Sequence, residues 1–275
     1  MAALQVLRKR YKSIQATADM CSAMKTASSV KYAKISRVLS HIEAYSRACD
    51  DTLALFGDAV LSRRVETVKP ENCLVLISNN RGFCGGFNGE LHRFFEQQLA
   101  EEKAAPRLIV LGQKGAAFCK ANGLDFESIP LEDIPSYSDA EALTAKLFEL
   151  YASGEANRII LVYQRFENMM TQTPTAETIL PHPANNNDQE KEMLYLPDRQ
   201  TAMQTPAMYC LINSIYGILL GHCAGIQAAT SIAMRSACDN ADKSLERLEI
   251  LINRIRQSEV TNSVIETSSY LLSES

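Results

Sequence analysis

The sequence predicts an α/β protein: two long terminal helices forming an antiparallel coiled coil, plus a central Rossmann-like α/β domain with a mostly parallel sheet. Three observations predict it. Residues 1–56 contain neither glycine nor proline, Gly57 being the first of either. Beyond Gly225 neither residue recurs, leaving Ile226 to Ser275 free of helix breakers. Between these stretches, short apolar runs alternate with helix-compatible spacers.

At 1.5 Å per residue the first stretch makes a helix of roughly 80 Å and the last one of roughly 75 Å. Leu4, Leu7, Tyr11, Ile14, Ala18 and Cys21 step by alternating threes and fours, and the frame continues through Tyr32, Ile35, Leu39, Ile42, Cys49, Leu53 and Phe56. Met234, Cys238, Ala241, Leu245, Leu248, Ile252 and Ile255 step in the same way. These are a/d seams, in which slight under-winding keeps an apolar stripe on its partner. Lys25, Ser28 and Ser46 interrupt the first seam, and Glu259, Asn262 and Glu266 the second. A stripe of this length exceeds what a compact domain can cover, so the two termini are expected to cover each other. Dimerisation of two chains through the same seams is the competing explanation.

The middle reads β-α-β-α-β. Cys73–Ser78, Arg107–Leu111 and Arg158–Tyr163 are continuous apolar runs, separated by helical stretches at Glu90–Glu102 and Ala140–Ser153. Uninterrupted apolar strands with helical spacers imply a parallel sheet covered on its faces. Asn185 to Lys191 is polar and reads as a surface loop. The expected domains are residues 1–57 and 207–275 for the helices and 70–200 for the α/β body.

The glycine-rich segment Arg81-Gly82-Phe83-Cys84-Gly85-Gly86-Phe87-Asn88-Gly89 follows the first strand, where α/β proteins often hold phosphates. It lacks G-x-G-x-x-G and any following Lys-Ser/Thr, so its glycines read as tight positive-φ turns packing close to a neighbour, with nucleotide binding as the alternative. Gly112-Gln113-Lys114-Gly115 is too short to be a fingerprint. No nucleophile elbow or zinc-protease motif occurs. The eight cysteines are scattered without a C-x-x-C pair, and of the four histidines only His222 stands beside a cysteine, Cys223, a poor chelate on a helix. No catalytic residues, metal or cofactor are expected.

Charge is segregated. The first forty residues carry eight bases (Arg8, Lys9, Arg10, Lys12, Lys25, Lys31, Lys34, Arg37) against the single acid Asp19, although the whole chain has a net charge of -4. Such a stretch suits a solvated face, a partner surface, a nucleic-acid patch or a transit peptide. The lack of interleaved aromatics argues against nucleic acid. The best apolar run, Tyr209 to Ile218, contains Asn213 and Ser214 and is too short to span a bilayer.

Local motifs then carry a resemblance. Ser78-Asn79-Asn80-Arg81-Gly82-Phe83-Cys84-Gly85-Gly86-Phe87-Asn88 resembles the S-x-D-R-G-L-C-G-G-F-N signature of the gamma subunit of F-type ATP synthases, with Asn80 for the acid and Phe83 for leucine. Lys12 to Thr17 and Ala23-Met24-Lys25 resemble that family's I-K-S-V-x-N-T and K-A-M-x-M-V-A, and Gly112 to Gly115 its G-R-K-G. Val162 to Phe166 with Thr171 to Thr175 is similar to its strand and turn. Asp239-Asn240-Ala241 and Asn253 to Thr261 resemble N-A-x-x-L and N-x-x-R-Q-A-x-I-T. The likeness covers essentially the whole chain.

The resemblance implies a non-catalytic rotor. Its two helices would form the central stalk inside a head of alternating alpha and beta subunits, driving ATP synthesis or hydrolysis on beta, while the α/β foot binds epsilon and the membrane c-ring. It further implies beta-subunit contacts by Met24 and Lys25 on the first helix and by Arg256 and Gln257 on the second, and a structural glycine loop built on Arg81, Gly82, Gly85, Gly86 and Asn88. Asp19 and Ser22 stand where the family has bases, Asn262-Ser263-Val264 replaces Q-E-L, and Ser268 to Leu272 replaces a small Ala/Gly tail. These departures fit a divergent copy, such as the gamma of an alternative ion-translocating ATPase set. The expected location is the cytoplasmic face of a bacterial inner membrane, with the mitochondrial matrix as the alternative. A coiled-coil adaptor and a nucleotide-binding α/β enzyme are the readings to be separated from it.

Overall fold

The computed structural model describes residues 2–61, 71–102, 104–181 and 199–273. The predicted loop at Asn185–Lys191 and the first proline, Pro70, lie outside them, as do the side chains of Leu53, Phe56, Glu266 and Ser268–Leu272. The chain divides into two units, Met1–Ala27 with Ser231–Ser275, and Ser28–Thr230.

The first unit is the coiled coil. It is built from the start of α1 (Ala2–Leu61) and the end of α5 (Arg199–Ser273). The predicted seam emerges residue by residue: Leu4, Leu7, Tyr11, Ile14, Ala18 and Cys21 are half-buried, and the residues between them are exposed. On α5, Cys238, Ala241, Leu245, Leu248, Ile252 and Ile255 are half-buried and Met234 is buried. The Cys238 thiol lies 3.8 Å from the Ala18 carbonyl and fixes the register. Carried outward in antiparallel sense, that register sets Ile14 level with Ala241, Tyr11 with Leu245, Leu7 with Leu248 and Leu4 with Ile252.

The second unit is a five-stranded sheet between two helical layers. In chain order it contains β1 (Cys73–Ile77), α2 (Phe87–Glu101), β2 (Arg107–Leu111), α3 (Gln113–Ala121), β3 (Glu127–Ile129), α4 (Tyr137–Ala152), β4 (Ile159–Phe166) and β5 (Gln172–Leu180). The strand order is β3-β2-β1-β4-β5. All neighbours are parallel except the β4–β5 hairpin. Pleating sends alternate residues to opposite faces. Cys73, Val75 and Ile77 meet α4, the base of α1 and α5, whereas Leu74 and Leu76 meet Leu91 and Phe95 of α2 and Cys119 of α3.

Two strands escape the sequence reading. β3 is only three residues long, and β5 carries Pro174 among threonines, which an edge position tolerates because no second partner needs its missing N–H. The larger difference concerns α5. Expected over residues 207–275, it spans Arg199–Ser273 and runs unbroken through Pro206, Gly217, Gly221 and Gly225. Packing accommodates these glycines, and at Gly225 a side chain has the least room. A Cβ at Gly217 would touch Ile42 at 3.6 Å, one at Gly221 would sit 4.0 Å from Cβ of Phe166, and one at Gly225 would press on Gln172 and Phe87 at 3.2 Å. Likewise α1 continues past Gly57 to Leu61.

Candidate functional site

The glycine-rich turn leaves the carboxyl end of β1 and enters α2 without a side-chain cap. Gly85 has φ of +60°, and Phe83 adopts φ of +67° despite its side chain, which it holds out to solvent. The expected close packing is absent here: an added Cβ at Gly82, Gly85 or Gly89 meets nothing within 4 Å, and at Gly86 it meets only the Glu90 side chain. Close approach falls instead on the short G-x-x-G segment. Gly112 has φ of +88° and a Cβ there would lie 2.6 Å from the Ser78 carbonyl oxygen, while Gly115 faces Ser78, Val110 and Leu76 at 2.8–3.2 Å. The Lys114 N–H donates to the Asn79 carbonyl at 2.8 Å, locking the two segments together.

Asn80 and Arg81 tie the turn down on its other side. Asn80 Nδ2 donates to the Leu131 carbonyl at 2.5 Å, and its Oδ1 accepts from the Gln113 N–H at 3.1 Å. An aspartate at this position has no N–H to offer Leu131, so the amide is matched to its surroundings. The nearby carboxylate is Asp133, which receives Lys31 of α1 at 2.5 Å and Arg81 at 3.5 Å. The Lys31 hydrogen bond holds the Asp133 carboxyl below its ordinary range. Asn79 Nδ2 donates to the buried Cys84 sulfur at 3.4 Å.

In an open α/β sheet, ligands enter where the strand order reverses, here between β1 and β4. The protein's own side chains fill that place. Phe87 is buried and sits edge-on to the His222 ring, centroids 5.3 Å apart. Gln164, at the end of β4, donates its side-chain amide to the Phe87 carbonyl and its backbone N–H to His222 Nδ1, each at 3.1 Å. Burial pushes the His222 imidazole down to about 3, so the ring is neutral. Sequence reading weighed His222 only as a poor chelate beside Cys223 and gave Gln164 no role; the one available signal was a lone histidine inside an apolar helical run. The thiols offer no nucleophile here either: burial raises Cys73 and Cys119 to about 11 and Cys223 to about 12. Among the described residues no cluster of His, Cys, Asp and Glu has the makings of a metal site.

The four shaft residues fall into two places. Met24 and Lys25 are half-buried on α1, about level with residue 231 of α5. Arg256 and Gln257 are exposed, 25 residues further along α5, a rise of about 38 Å. The glycine turn belongs to the other unit.

A family model described as ATP synthase matches residues 3–269. The ATP synthase gamma chain of Desulfitobacterium hafniense is 28% identical over 276 residues, covering 97% of each chain. That of Pelotomaculum thermopropionicum is 29% identical over 275 residues, again with 97% of each covered. Among solved structures, a chain of the Euglena gracilis mitochondrial ATP synthase OSCP/F1/c-ring assembly superposes with a TM-score of 0.71 at 16% identity, covering 99% of this chain and 94% of that one. A chain of the Tetrahymena thermophila mitochondrial ATP synthase central stalk/c-ring gives 0.62 at 18% identity, covering 79% and 99%. Matched from end to end by gamma chains, the protein belongs to the ATP synthase family.

Proposed function

We propose that the chain is the central-stalk gamma subunit of an F-type ATP synthase, a rotor that couples ion flow through the membrane sector to ATP synthesis or hydrolysis on the beta subunits. The observation that carries this reading is the end-to-end match to gamma chains by a protein built as two long seam-paired helices and an α/β foot. The subunit is non-catalytic in this reading, which the side chains filling the sheet's switch point support.

The shaft sits within alpha and beta subunits, and the foot meets epsilon and the c-ring. Met24 and Lys25 form one beta contact and Arg256 and Gln257 a second, about 38 Å apart along the axis. Two separated contacts suit a rotating shaft better than one patch, because off-axis load is shared along its length. The protein is placed peripherally on the cytoplasmic face of a bacterial inner membrane, the matrix face of a mitochondrial inner membrane being the alternative.

Co-expression with and without alpha and beta subunits from the same source tests the reading. One copy per hexamer, with ATP hydrolysis dependent on it, is the expected result. A chain that stays out of the hexamer, sediments as a homodimer, or binds nucleotide alone overturns it.

A further inference from the structure

Between Ala207 and Ala224 the buried face of α5 is apolar but for Asn213 and His222: Ala207, Cys210, Leu211, Ile212, Ile215, Leu219, Leu220, Cys223 and Ala224. Apolar contact is non-directional, so such a face tolerates sliding by one helical turn, about 5.4 Å. The small-residue track Gly217, Gly221, Gly225 repeats every four residues and offers the same profile to its neighbours after such a slide. A helix that must carry torque needs something that distinguishes one register from the next.

We propose that His222 is the pin that sets the register of the long helix on the foot. It is fully buried, and its Nδ1 is the acceptor for the Gln164 N–H at the end of β4. Gln164 is itself fully buried and anchored through its side chain to Phe87 at the start of α2, so the pin joins α5, β4 and the glycine-rich turn. One turn away in either direction stand Ile218 and Ile226, neither of which can accept a hydrogen bond. A slide by one turn therefore leaves the buried Gln164 N–H without an acceptor, which is the directional penalty the apolar face lacks. His222 is thus a positioning residue. Its mechanical meaning rests on the rotor reading, but the register itself does not.

Disulfide trapping in the full-length chain tests this. Phe166→Cys with Gly221→Cys reports the native register, since the Cβ positions are 4.0 Å apart, within the range a disulfide spans. Phe166→Cys with Gly217→Cys or with Gly225→Cys reports slides of one turn in either direction. Initial oxidation rates with diamide, each product identified by peptide mass, are compared in three backgrounds. In His222→Leu, the slid pairs are expected to cross-link about fivefold faster, the factor that one unmade hydrogen bond carries in an equilibrium. In His222→Asn they stay at the wild-type rate, because Oδ1 of asparagine occupies the position of Nδ1. Equal rates of the slid pairs in all three backgrounds overturn the proposal.

If His222→Leu does not fold, nitrogen NMR of the wild-type imidazole decides. A neutral ring with Nδ1 as hydrogen-bonded acceptor through the neutral range supports the pin, and a charged ring or a protonated Nδ1 refutes it. In the assembled complex, His222→Leu is expected to lower ion pumping per ATP hydrolysed, with His222→Asn restoring it. A wild-type chain that never enters the hexamer removes the rotor reading and leaves the trapping result standing.

Discussion

The coiled-coil unit and the foot unit bury their apolar residues to different depths. Along the seam of residues 4–21 every apolar contact residue is only half-buried, while in the foot Val75, Phe95, Ile109, Ile159 and Leu161 are fully inaccessible. Two helices alone cannot enclose a side chain, whereas helices on both faces of a sheet can. The seam is therefore stabilised by many shallow layers of similar weight, and the foot by a few deep ones. Damage should be local and mild in the first and cooperative and severe in the second.

The sharpest way to break this contrast is to truncate one residue of each kind. Phe95→Ala in the foot is expected to cost about 4 kcal/mol, since it loses transfer energy and leaves a cavity that a packed sheet cannot close. Leu7→Ala on the seam should cost about 1 kcal/mol, having only part of its surface to lose. Urea unfolding of the two variants measures both, and equal costs would end the distinction. Gly112→Ala comes next. Its φ of +88° and the 2.6 Å approach to the Ser78 oxygen predict a loss of at least about 2 kcal/mol. Gly82→Ala, in the glycine-rich turn with open space around it, should be nearly silent in the same urea unfolding.

Helix ends give a smaller effect. Ser136 caps α4 in a reciprocal box with Asp139, and Ser136→Ala should lower stability by about 1 kcal/mol. The smallest effect is electrostatic. The Asp133 carboxyl is lowered chiefly by the Lys31 hydrogen bond, so the pairing stabilises above the ordinary aspartate range of about 4 and is lost as pH falls through the lowered value. Asp133→Asn should cost under about 1 kcal/mol at neutral pH, because both partners are one-third exposed, and nothing in strong acid. Urea midpoints followed down the pH scale check the sign; a gap that widens on acidification contradicts it.

The same contrast decides how much could be read from sequence. Seam positions were legible one by one, because a helix pair obeys a fixed period and little else. The parallel strands β1, β2 and β4 were legible as continuous apolar runs. Edge strands were not: β5 alternates polar residues around Pro174, and β3 is shorter than any period. The turns of α5 before residue 207 were not legible, because Pro206 reads as a helix breaker, and the closeness of Gln172 and Phe87 to Gly225 shows only in the fold. At the glycine-rich turn the motif was visible but its tight spot was not, since the crowding lies at Gly112 and Gly115, across β2. His222 could not be distinguished from an ordinary core histidine until Gln164 was seen opposite it.

Val260, Val264 and Ile265 stand exposed along the far part of α5. An apolar row that a helix holds in water is like the bare half of a zip, whose teeth have meaning only against another chain. Asn262-Ser263-Val264, standing where the family has Q-E-L, lie among those teeth.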